Sequence, residues 1–245
     1  MFNTIFKVLS KPLGLGLISL LAACGNMPAK PNTTDLSSAN LPAVAAEFIT
    51  TRAGEEHDHE AHQALPAEVS WRFWRDSRQI TIERPQLGVG ELWQLNDREL
   101  THRKLYHQDR RAIEFQAGDL RMLEIAPSWQ KLALLVDSQL LDKLIAEEVE
   151  WTDGIPTREY QGKVADTEWH VLMRLDLALP LLIERQQGDF SERTELLHAY
   201  PLRAAPWQPT STQGYDVIDF ADLGDKESDP FVIKVQAQMG HEHHH

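Results

Sequence analysis

What most constrains this chain is a recurring alternation of apolar and polar residues at period two. In EVSWRFW (68–74), Val69, Trp71 and Phe73 alternate with Ser70 and Arg72. In TEWHVLMRL (167–175), Trp169, Val171, Met173 and Leu175 alternate with Glu168, His170 and Arg174. Side chains at i and i+2 share one face of a strand, so each segment fits a sheet with one dry and one wet face. RQITIE, GELWQL, LTHRKLYH, RAIEF and LRMLEI follow the first segment, separated by the turn-formers RPQLG, NDRE, QDR and AGD. Such spacing predicts an antiparallel meander. REYQGKV, PLLIERQ, RTELLHAY, YDVIDF and FVIKVQA supply further strands later in the chain.

One stretch breaks the pattern. In 128–148, SWQKLALLVDSQLLDKLIAEE, Leu132, Leu135, Val136, Leu140, Leu144 and Ile145 follow a 3.6-residue period, with Ser128 placed to cap the start behind Pro127. The expected fold class is mainly β (α+β): a curved antiparallel sheet or half-barrel packed on one substantial helix, which buries both apolar faces. A closed eight-strand barrel or an α+β sandwich fits the same pattern.

The first residues read differently. MFNTIFKVLSK carries Lys7 and Lys11 and no acid, and PLGLGLISLLAA (12–23) is uncharged. A positive start, a short apolar run and small residues before a cut describe an export signal. The run is shorter than the roughly 20 residues a membrane-spanning helix needs. Leu21-Ala22-Ala23-Cys24 holds the only cysteine and resembles the lipobox of bacterial lipoproteins. That resemblance implies removal of residues 1–23, a diacylglycerol thioether on Cys24 and an acylated new amine. Each buried methylene contributes ~0.8 kcal/mol, so several chains anchor a protein durably. Gly25 follows the cysteine, where aspartate would imply inner-membrane retention, so the resemblance implies an outer-membrane anchor with the body facing the periplasm.

Residues 24–66 are rich in Pro, Asn, Ser, Thr, Ala and acid, with a short helical patch at AVAAEFI (43–49). They read as a lipidated flexible tether. The globular domain is expected at 67–238 and a His-rich tail at 239–245. A formal net charge of −13 argues against nucleic acid and against electrostatic binding to anionic lipid. Membrane association therefore falls to the lipid anchor.

In YQGKVADTEWHVLMRLDLALPLLIERQ (160–186), a Tyr-x-Gly strand leads through a turn to a long Trp-bearing strand and then a Pro-led strand. This resembles the unclosed half-barrel periplasmic proteins of the LolA, LolB and RseB group. The resemblance implies a concave apolar surface for acyl chains or a lipoprotein.

Seven of the 11 histidines lie in two short segments. EEHDHEAH (55–62) offers His57, His59 and His62 among four acids, and GHEHHH (240–245) offers His241, His243, His244 and His245. Neutral imidazole with carboxylate oxygens suits Zn²⁺, Cu²⁺ or Ni²⁺. Neither segment has the His-Glu-x-x-His spacing of a helical zinc site. A solvated polar tail, or a purification tag at the end, is the bland alternative. His102, His107, His170 and His198 fall singly on strands and are assigned no role. DFADLGDKESDPF (219–231) lacks calcium-loop spacing and reads as an acidic turn or helix entry.

The chain carries no Gly-x-Ser-x-Gly elbow, phosphate loop, Cys-x-x-Cys or dinucleotide fingerprint. The expected function is non-catalytic: an outer-membrane lipoprotein whose domain binds a lipid, an acylated protein or an envelope partner. A periplasmic metal buffer or chaperone, and a structural envelope protein, are the alternatives.

Overall fold

The computed structural model describes Leu36, residues 41–54 and residues 67–240 of the chain. The strands are β1 (Val44–Ala53), β2 (Glu68–Arg75), β3 (Gln79–Arg84), β4 (Val89–Asn96), β5 (Glu99–Tyr106) and β6 (Arg111–Phe115). Three short helices follow: α1 (Ala117–Met122), α2 (Trp129–Leu134) and α3 (Ser138–Leu141). Then come β7 (Ile145–Ala146), β8 (Glu150–Thr152), β9 (Ile155–Val164), β10 (Thr167–Arg174), β11 (Leu179–Gln187), β12 (Phe190–Tyr200), β13 (Asp216–Asp219) and α4 (Pro230–Gly240).

All 13 strands form one curved, unclosed sheet, in the order β13-β6-β5-β4-β3-β2-β1-β12-β11-β10-β9-β7, with β8 also on β9. Two antiparallel meanders, β2–β6 and β9–β12, meet on either side of β1. The fold class read from the alternation holds: mostly β, a half-barrel with helices against one face.

The expected helical patch at 43–49 is corrected to a strand at the centre of the sheet. Val44, Ala45 and Ala46 are all buried, because β1 is paired on both edges. Alanines that favour a helix in isolation here let both faces of a central strand be covered closely. Residues 41–54 thus join the folded body, and the His57–His62 segment lies in the connection between the paired strands β1 and β2 rather than in a leading tether.

The period-3.6 stretch also resolves differently. Ser128 does cap α2, its Oγ accepting the Lys131 N–H at 3.1 Å. The helix stops after Leu134, where Leu135 turns left-handed (φ 60°), and Asp137 restarts the chain by capping α3 through Gln139 N–H at 2.9 Å. The apolar residues still reach the core, in two short pieces instead of one long helix. LRMLEI and FVIKVQA, expected as strands, lie in and around α1 and in α4. A reciprocal cap between Gln116 and Asp119 nucleates α1. In α4, Asp229 accepts the Phe231 N–H at 2.8 Å, and Phe231, Val232 and Val235 bury at helical spacing.

One face of the sheet is thereby filled. Phe48, Phe73, Ile80, Trp93, Tyr106 and Ile113 pack under Leu120 of α1, Ala133 of α2 and the buried side of α4. A second cluster seats Leu134, Leu141 and Leu144 on Tyr160, Val171 and Met173 of β9 and β10. Each such large side chain contributes about 1.5–3 kcal/mol on burial. Arg75, only 1% exposed, locks the two clusters together. Its Nε and Nη2 donate to Pro42 O, Nη1 to Ala133 O and Ala178 O, and Nη2 to Leu177 O. All five donors are used on backbone carbonyls, so among the described residues the cation is buried without a counter-ion, and burial lowers its pKa to about 10.

Candidate functional site

The opposite face is treated differently in its two halves. Over β2–β5 it is crossed by the connection from β12 to β13, residues 201–215. Trp207 meets Trp74 at 5.8 Å and Arg72 at 5.0 Å, Thr210 N–H donates to the buried Glu83 Oε1 at 2.6 Å, and Tyr215 Oη lies 3.0 Å from His107 Nδ1. Among the described residues, the same face stays open over β9–β12 and the end of β1. His170, Glu159 and Glu184 each keep more than a third of their side chain exposed, at 36%, 37% and 36%.

Register builds a groove there. Gln161, His170, Glu184, Arg193 and Thr51 sit opposite one another in successive strands and form one transverse row. Lys163, Glu168, Gln186 and Ser191 form a parallel row two residues further along. Alternation turns both rows to the helix-free face, and the row between them, with Trp169, Arg185, Glu192 and Arg52, to the other. Residues of all three rows, two turned to this face and one to the other, border a cavity of about 730 Å³ at this end of the sheet. A second cavity of about 510 Å³ shares Gln161 with it and is walled by Glu147, Glu148, Glu150 and Glu159.

Electrostatics organise the first row. His170 Nε2 lies 2.8 Å from Glu159 Oε1, and Nδ1 lies 2.8 Å from Glu184 Oε2. Arg193 Nη1 donates to the other oxygen of Glu184, and its Nη2 to Glu195 Oε1 at 2.8 Å. Carboxylates and nitrogen-bearing side chains thus alternate across β9, β10, β11 and β12. The hydrogen bond from His170, then those of Arg193, hold the Glu184 carboxyl below the usual carboxylate range. Arg193 in turn holds Glu195 down, while Glu195 and Glu184 push the Arg193 pKa up. Exposed pairs of this kind contribute ~0.2–1 kcal/mol each, so their main effect is to fix side-chain positions. In the middle row, Glu192 accepts from Arg52 Nε at 2.6 Å and Arg185 Nε at 3.0 Å, bracing the ends of β1, β12 and β11.

The residues singled out from the sequence do not build this groove. Cys24, His57, His59, His62, His241, His243, His244 and His245 lie outside the described residues. The acidic stretch 219–231 acts as caps: Asp219 accepts from Ala221 N–H, and Asp229 caps α4 while binding Arg111 at 2.7 Å. Among the described residues no group of three His, Cys, Asp or Glu side chains is arranged to hold a metal ion. Nor is any described helix long and apolar enough to cross a membrane.

No protein-family model matches the chain, and no curated protein is matched either. Solved structures to which it is similar include PNGF-II, at 10% identity over 75% of this chain and 32% of that one, with a TM-score of 0.39. An uncharacterized conserved protein from Thermus thermophilus is 7% identical over 73% of this chain and 90% of that one, with a TM-score of 0.43. MucB is 14% identical over 71% and 58%, with a TM-score of 0.36. The chain spans about a third of the PNGF-II structure, 32% of its length. Likenesses of this size carry no argument about activity.

Proposed function

We propose that the chain is a non-catalytic binding module of the bacterial envelope, anchored to the outer membrane through a lipid on Cys24 and facing the periplasm. The anchor rests on the lipobox. The binding role rests on one observation, the 730 Å³ cavity bordered by rows of charged and amide residues, two of which stand on the half of that sheet face left uncovered among the described residues.

This arrangement favours an envelope protein over a bare acyl chain. The apolar face that a lipid carrier would offer its cargo is filled by the chain's own helices. The open face offers hydrogen bonds and charge, which orient a polar partner and penalise hydrocarbon. A photo-crosslinking residue at Gln186, read in cells against one at the 40%-exposed Val217 on β13, tests this. A discrete protein adduct from Gln186, diminished by Arg193→Glu, is the expected result. Adducts equal at both positions, or only lipid adducts, would refute it. Mass spectrometry of the mature protein tests the anchor, since an unacylated Cys24 removes the proposed location.

A metal-handling role is the second reading, and the placement of His57, His59 and His62 between two paired strands favours it over a role for a loose leading tether. Calorimetry with Zn²⁺, Cu²⁺ and Ni²⁺ on the whole protein, and on one lacking residues 55–62 and 240–245, decides it. Equal heats from both proteins dismiss the segments as metal sites.

A further inference from the structure

We infer that the open half of the sheet takes an extended peptide segment of its partner as the covered half takes the chain's own residues 207–210. A backbone N–H of that segment meets Glu184 and, three residues before it, an aromatic ring meets Arg193. This mode names the partner chemistry of the groove and rests on the groove being the binding site.

The two halves present the same side chains in the same order. Counting outward from β1 on the helix-free face, one side offers Arg72 on β2, Glu83 opposite it on β3 and then Gly90 on β4. His107 lies over Gly90: a Cβ there would stand 2.9 Å from its Nε2, and that nitrogen is 3.9 Å from Glu83 Oε1. The other side offers Arg193 on β12, Glu184 opposite it on β11 and His170 on β10. Arginine, glutamate and imidazole thus recur on both sides of β1. Apolar ground adjoins each row. Leu92 and Leu105 bury together beside Gly90. Leu172 and Leu182, paired across β10 and β11, stand half-buried two residues along from His170 and Glu184.

On the first side the row has an occupant. The Trp207 ring lies 5.0 Å from Arg72 Cζ and 5.8 Å from the Trp74 ring, and Thr210 N–H donates to Glu83 Oε1 at 2.6 Å. Pro206 and Pro209 keep this segment extended, since each disfavours the helical region for the residue before it. Among the described residues no backbone N–H from 207 to 212 pairs with a backbone carbonyl, so the segment lies on the face as a ligand would. On the second side the same chemistry is exposed. Glu184 accepts from Arg193 on one oxygen and lies 2.8 Å from His170 Nδ1 through the other. A carboxylate has about four acceptor positions, so Glu184 can still take an N–H. Arg193 binds Glu184 and Glu195 through N–H groups, which lie in the guanidinium plane, and its face stays available to a ring.

The probe is a synthetic peptide of residues 203–212, RAAPWQPTST, blocked at both ends and titrated into the whole isotope-labelled protein by NMR. Saturable shifts are expected at Arg193 Nε–H and at the side-chain amides of Gln161 and Gln186. Methylating the Thr210 nitrogen of the peptide removes the N–H that Glu184 would accept and is expected to weaken binding at least about tenfold. Trp207→Ala in the peptide should also weaken it, and Glu184→Lys in the protein should abolish the shifts. The peptide changes leave the protein untouched, so they decide the matter even where a protein variant fails to fold. No saturable shift in the groove, equal affinity of the methylated peptide, or shifts confined to Trp74 and His107 would overturn this mode of binding. Crosslinks at Gln186 in cells without peptide binding refute the mode alone. Peptide binding without crosslinks refutes the cellular partner alone.

Discussion

Two buried side chains show how single residues set the stability of this sheet. Arg75→Lys keeps a charge but supplies three donors where five are used, and Arg75→Met supplies none. Unsatisfied buried carbonyls cost about 1–3 kcal/mol each, so Arg75→Met is expected to lose ~3 kcal/mol or more in urea unfolding, with Arg75→Lys intermediate. His102 acts through pH. It stacks between Trp93 at 3.9 Å and Phe115 at 5.4 Å, and among the described residues neither ring nitrogen has a hydrogen-bond partner. Burial lowers its pKa to about 4, against the opposing pull of Glu91, so the unfolded chain binds the proton more readily than the folded one. Stability from the neutral ring is complete above about pH 6.5 and drains away as pH falls towards 4. Between pH 7 and pH 4.5 the expected loss is about 2–3 kcal/mol. His102→Phe should flatten that part of the pH profile; an unchanged slope would assign the acid sensitivity elsewhere. Neither residue's role is legible in the chain. Arg72 and Arg75 look alike on paper, and only the register and the crossing of residues 41–44 separate a half-exposed side chain from a buried lock. The same holds for His170, whose partners Glu159 and Glu184 are brought to it by pairing across two hairpins.

At the scale of elements, alternation proves the stronger guide and helical periodicity the weaker. Strands such as β2, β10 and β11 are legible because each must satisfy one wet and one dry face. The stretch 128–148 keeps its 3.6-residue apolar spacing yet breaks at Leu135, since Asp137 offers a competing cap two residues later. Asp137→Ala therefore tests whether the break is built in locally. Loss of the bond to Gln139 N–H should lower stability by ~1 kcal/mol in chemical denaturation. No change would mean that packing of Leu134 and Leu141, rather than the cap, positions α3. Residues 231–237 mislead for the opposite reason. Val232, Ile233 and Val235 favour strands intrinsically, but Asp229 and Pro230 start a helix, and the core accepts two of the three on one side.

The whole molecule depends on a strand that composition hides. A domain beginning at residue 67 contains both meanders. What joins them is β1, which pairs with β12 on one edge and β2 on the other. Without it, β2 and β12 both present unpaired backbone, and the core loses Val44, Ala46 and Phe48, each no more than 1% exposed. Arg75 also loses Pro42, the acceptor it uses twice. Burial of Val44 and Phe48 alone accounts for about 3–6 kcal/mol, comparable with the total stability of many domains. A protein truncated to 67–245 is therefore expected to lack a cooperative thermal transition and to associate through its exposed edges. One beginning at residue 36 should unfold in a single transition close to that of the longer chain. Calorimetry and sedimentation of the two proteins would decide, and a cooperatively folded, monomeric 67–245 would show that the meanders need no strand between them.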